Sequence, residues 1–131
     1  ELRKGKVLRE GQKIALIATG MMVQEALKAA DILAKEDISV TVVDMPCIKP
    51  IDEELIEKIA KSHELIITCE EHNVYGGLGS AVSEVTSKKS PVRMEMMGMQ
   101  DTFGESGTPN ELLAKYGLNA DHIVEKVKEC L

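Results

Sequence analysis

From Ile14 onward, apolar residues alternate between two rhythms along the chain. IALIAT (14–19) is an almost continuous apolar run closed by Gly20, the pattern of a strand buried on both faces. Over 22–35, Val23, Ala26, Leu27, Ala30, Leu33 and Ala34 recur at helical spacing. ISVTVVDM (38–45) is β-branched and predicts a second strand. Asp52 stands where it can cap a helix over 53–62, whose apolar stripe is Leu55, Ile56, Ile59 and Ala60.

The same alternation continues. ELIITCE (64–70) predicts a strand, 78–88 a helix and VRMEMMG (92–98) a further strand. Two closing helices are expected near 109–116 and 120–130, with Gly117 as a left-handed stop and Asn119 as a cap. KVLRE (6–10) suits an extra edge strand. Strands alternating with helices through short loops predict a parallel sheet covered on both faces, a three-layer α/β/α domain. Ligands of such sheets sit beyond the carboxyl ends of the strands. Four segments are expected to gather there: Thr19–Met22, Pro46–Lys49, Glu70–Gly77 and Met99–Gly107.

Composition narrows this picture. The 131 residues give room for one domain spanning 1–131, and with aromatics at only 2% the core must be aliphatic. No apolar run nears the roughly 18 residues of a membrane span, and ELRKGKVLREG lacks the apolar region of a signal peptide. The chain does not begin with Met, so it is expected to be a section of something longer. Net charge is −6 and the basic residues are scattered, which argues against a nucleic-acid face. Cys47, Cys69 and Cys130 have no CxxC spacing, so reduced thiols and a cytoplasmic location are expected.

The stretch CEEHNVYGGLGSAV (69–82) holds the densest candidate chemistry. Gly76, Gly77, Gly79 and Ser80 precede or open a helix, whose free amides could hold an anion. A dinucleotide fingerprint would need a third glycine where Val82 stands, and no Walker sequence occurs. The competing reading is that the glycines permit positive φ or close helix–sheet approach. Glu70, Glu71 and His72 could form an acid–base group, but the simpler reading is that Glu70 and His72 bond nearby loops or a neighbouring domain while Glu71 is solvated. His63 and His122 are expected at the surface, Cys47 as a small hydrophobe, and the methionines near 94–99 as core filling. Phe103, the only phenylalanine, either tucks into the local core or anchors an interface.

Taken together, ATGMMVQEALKAADIL, VVDMPCIKPIDEELI, EEHNVYGGLGSAVSEV and MGMQDTFGESGTPNELLAKYGLNADHIVEKV resemble the C-terminal domain of transketolases. The match is closest to the bacterial and archaeal type that is split into two subunits. It covers essentially the whole chain, and EEH…GGLGSAV with DTFGESG…ELL…YGL are its most specific pieces.

The resemblance implies a mixed five-stranded sheet whose first strand is antiparallel, a place KVLRE fits. It also implies a whole enzyme, a homodimer, that moves two-carbon ketol units between phosphorylated sugars. The cofactors implied are thiamine diphosphate with Mg²⁺ or Ca²⁺, held by other domains. The family's diphosphate–metal motif begins G-D-G, and that triplet does not occur here. The cofactor-activating glutamate belongs to a preceding pyrimidine-binding domain, so Glu70 and Glu71 do not inherit its role. The expectation is a non-catalytic domain for packing and subunit assembly, with Glu70, His72, Tyr75, Gly76, Gly77, Gly79, Ser80 and Phe103 as interface or anion-contact residues. Two alternatives stand beside it. One is a regulatory domain binding a phosphorylated metabolite at Gly76–Ser80; the other is a docking domain of a 2-oxoacid dehydrogenase β subunit or deoxyxylulose-phosphate synthase.

Overall fold

In the computed structural model, residues 3–73, 77–99 and 109–131 are described, without the side chains of 72, 73, 99, 109 and 110. Ten elements follow one another: β1 (Lys6–Arg9), β2 (Ile14–Ala18), α1 (Met22–Ala34), β3 (Thr41–Asp44), α2 (Glu53–Ser62), β4 (Leu65–Asn73), α3 (Leu78–Lys89), β5 (Arg93–Met99), α4 (Pro109–Lys115) and α5 (Ala120–Glu129).

The sheet order is β1-β3-β2-β4-β5. β2 lies at its centre, parallel to β3 and β4, and all five of its residues are buried. That is what the continuous apolar run IALIAT demands, because helices cover both faces of a central parallel strand. One face packs on α1 and α5 through Leu16, Ile67, Leu33 and Ile123, the other on α2 and α3 through Ile17, Ile66, Ile56 and Val82. No helix among the described residues is long and apolar enough to cross a membrane.

The caps read from the sequence are in place. Asp52 accepts the Leu55 amide at 3.2 Å and Asn119 that of His122 at 3.1 Å, while Gly117 closes α4 at φ 71°. Two strand boundaries differ from expectation. β3 begins at Thr41 rather than 38, because Asp37 turns the chain at φ 62° and only then does pairing with β2 begin. β4 continues to Asn73, past the expected end at 70, through a register shift against β5 between Cys69 and Asn73.

β1 is antiparallel to β3, with Lys6 opposite Asp44. The first residues of β1 therefore lie level with the last residue of a parallel strand. The chain comes into the sheet at the carboxyl edge, where the candidate residues gather.

Candidate functional site

The parallel register aligns the strand ends on one edge: Ala18 lies beside both Asp44 and Cys69, and Cys69 beside Met97. The Met45 amide continues the ladder to the Ala18 carbonyl at 2.8 Å, and the Thr19 amide reaches Cys69 at 3.3 Å.

Along β4 the side chains alternate between faces, as the period of a strand requires. Ile66 belongs to the cluster under α2 and α3, and Ile67 and Cys69 to the cluster under α1. Glu70 and Glu71 inherit this alternation and point to opposite layers. Glu70 is fully buried; its Oε1 accepts the Leu78 amide and its Oε2 the Gly79 amide, both at 2.9 Å. Those amides belong to the first turn of α3, where helix geometry leaves donors without partners. The carboxylate satisfies two of them and meets the positive end of the helix dipole.

Glu71 turns to α1 and accepts the Met21 amide at 3.4 Å. Gly20 makes room for it: at φ 61° it holds a conformation few side chains adopt, and a Cβ there would collide with the Glu71 carboxylate. Two consecutive acids of one strand thus serve the N-termini of two helices in different layers.

The glycines divide by cause. A Cβ on Gly79 would stand 2.7 Å from Met96 Sδ and 3.0 Å from Thr68 Oγ1, so Gly79 serves close helix–sheet approach. Gly77 has φ −97°, so positive φ is not its reason. Ser80 is half-buried in the first turn of α3. His72 lies in β4, but its side chain, like Tyr75, Gly76 and Phe103, is outside the described residues.

Burial first, and the nearby Glu70 charge second, push the Cys69 thiol up from 9.0 to about 12. Cys69 is therefore an inert thiol on the strand that carries both acids. All three cysteines are free. His63, expected at the surface, is half-buried at the opposite edge of the sheet. Its Nδ1 donates to the Ile59 carbonyl at 2.9 Å and its Nε2 accepts the Thr41 hydroxyl at 2.7 Å. The tautomer follows from the carbonyl, which can only accept.

One residue escaped the sequence reading. Glu25 sits in the first turn of α1, is 8% exposed, and accepts the Ala120 amide at 3.0 Å, capping α5 alongside Asn119. Its only signal in the sequence is an acid in a first helical turn, which is ordinary. Glu25, Glu70 and Glu71 therefore tie α5, α3 and α1 from within the chain.

A family described as "Transketolase, C-terminal domain" matches residues 3–123. The chain is 43% identical over 130 residues to a Methanocaldococcus jannaschii protein named as a transketolase C-terminal section, covering 98% of this chain and 40% of that one. It is 46% identical over 123 residues to a 1-deoxy-D-xylulose-5-phosphate synthase of Desulforudis audaxviator, covering 92% of this chain and 19% of that one. Among solved structures, a split-gene transketolase described as an inactive β4 tetramer superposes with TM-score 0.91 at 46% identity, over 98% of this chain and 42% of that one. A Campylobacter jejuni transketolase shares the fold, with TM-score 0.69 at 23% identity, over 98% of this chain and 19% of that one.

Proposed function

The chain belongs to the transketolase C-terminal domain family, and from that premise we propose that it is the non-catalytic assembly section of a thiamine diphosphate-dependent ketol transferase. In this reading the whole enzyme moves two-carbon ketol units between phosphorylated sugars in the cytoplasm and works as a homodimer. Thiamine diphosphate and its Mg²⁺ or Ca²⁺ are held by the enzyme's other sections. This chain packs against those sections through the carboxyl edge of its sheet.

The observation that supports this reading best is the Glu70 carboxylate on the amides of Leu78 and Gly79. A helix N-terminus at a carboxyl edge is where an α/β domain would hold a phosphate. Here it is filled by the chain's own anion, so a diphosphate would meet like charge in place of free amides. The α3 N-terminus is therefore poorly suited to the cofactor's diphosphate, and the same contact weighs against a phosphorylated regulator at Gly76–Ser80. What the edge offers instead is a surface beside the point where the chain comes in. His72, Tyr75 and Phe103 are the side chains proposed to meet the neighbouring section. The solved split-gene neighbour described as an inactive β4 tetramer fits a section that is inactive by itself.

Hydrogen exchange on the chain alone and joined to the catalytic sections tests the assembly role. Amides of residues 70–75 and 102–106 should exchange more slowly in the joined form, while those of Ile14–Ala18 stay protected in both. Equal exchange at the edge would move the interface elsewhere. Calorimetry of the chain alone with thiamine diphosphate and Mg²⁺ should give no saturable heat, and a one-to-one isotherm would overturn the non-catalytic assignment. The identity to the D. audaxviator synthase favours one second reading, the same section within a 1-deoxy-D-xylulose-5-phosphate synthase. Assaying the joined enzyme for both products separates the two.

A further inference from the structure

Asp52 does two jobs with one carboxylate. Oδ1 accepts the Leu55 amide at 3.2 Å and caps α2, while Oδ2 accepts the Gly5 amide at 2.9 Å from a residue 47 positions earlier. Gly5 is pressed onto the same place. A Cβ on it would stand 2.7 Å from Leu55 Cδ2 and 3.0 Å from Met45 Cε. Lys6, the next residue, already pairs with Asp44 at the end of β3. The backbone before β1 is therefore held from two sides, by the carboxylate and by the close fit of a glycine against Met45 and Leu55.

We infer that Asp52 and Gly5 form a clasp that fixes the direction from which the preceding section approaches the carboxyl edge. A helix cap needs only one acceptor oxygen, and serine or asparagine supplies that as well as aspartate does. The second oxygen of Asp52 is the part that a cap does not explain. It grips the chain one residue before the sheet begins, where a free tether would swing. Asp52 is thus a positioning residue: it touches no reacting group, and it orients the sections that the interface brings together. This inference rests on the assembly reading for what the clasp orients, but not for the clasp itself.

The test separates the two bonds. In Asp52→Ser the hydroxyl keeps the cap on Leu55 and is too short to hold Gly5 as well. By NMR on the 131-residue chain, the Gly5 amide should exchange about tenfold faster in this variant, with Leu55 and the β2 amides unchanged. Unchanged exchange at Gly5 overturns the clasp. Equal loss at Gly5 and Leu55 also overturns it, because Asp52 would then act through α2 alone. In the longer protein, spin labels placed in α5 and in the preceding section should give a narrow distance distribution that broadens in Asp52→Ser. A distribution as narrow as in the parent overturns the orienting role. The Gly5 result is read on the chain alone, so it stands even if the preceding section proves to have another activity.

Discussion

Glu70 and Gly79 lie nine residues apart and share a buried hydrogen bond, 2.9 Å from the glutamate Oε2 to the glycine amide. The pair joins the later part of β4 to the first turn of α3. It makes the acid a structural anion and the glycine a contact surface. Neither is left for a ligand, and each carries its own consequence.

Truncating the acid leaves two buried amides without acceptors. Glu70→Ala should cost about 2–4 kcal/mol of unfolding free energy, and Glu70→Gln, which keeps one acceptor oxygen, roughly half of that. Urea denaturation at fixed protein concentration measures both. A loss below about half a kcal/mol for Glu70→Ala would contradict an internal anion.

Gly79→Ala sets two effects against each other. Replacing a helical glycine gains about 1 kcal/mol of propensity, while overpacking against Met96 and Thr68 costs about 1–3 kcal/mol. A net loss is expected because Thr68 is fully buried and cannot retreat, whereas the exposed Met96 can. Adding Thr68→Ala, which removes the buried Oγ1, should recover part of that loss. A double-mutant cycle with no coupling between the two sites would refute the contact.

Thr68 buries a hydroxyl with no hydrogen-bond partner among the described residues. Thr68→Val keeps the shape and removes the unpaired group, so it should raise stability by about 1 kcal/mol. The melting temperature, measured in plain buffer, is expected to rise; a fall would show that the hydroxyl has a bonding role.

The Cys69 thiol, held near 12 by burial and the Glu70 charge, links stability to alkaline pH. An acid whose folded value is raised stays protonated in the native state while the unfolded chain releases its proton above about 9. Its stabilising contribution is therefore complete below that pH and is lost as pH rises from about 9 towards 12, by roughly 1 kcal/mol per pH unit. The stability of Cys69→Ala should fall less steeply over that window than that of the parent. Parallel slopes would count against this linkage. Thiol titration at pH 8 should likewise find Cys69 unreactive until denaturant is added.

The sequence by itself determined the elements, the layers and the family. Continuous apolar runs such as IALIAT, the 3.6-residue stripes and the caps at Asp52 and Asn119 are local signals, and local geometry alone produces them. It also brought the glycine-rich stretch to the carboxyl edge, because parallel strands align their ends there. Only the tertiary structure decided what the acids do. Glu70 and Glu71 are neighbours in sequence, yet strand alternation and the register shift send one to α3 and the other to α1. Glu25 and Ala120 are 95 residues apart, and Gly5 and Asp52 are 47 apart. Such bonds depend on which helix is laid beside which strand. That choice is made by packing over the whole sheet, and no window of the chain contains it.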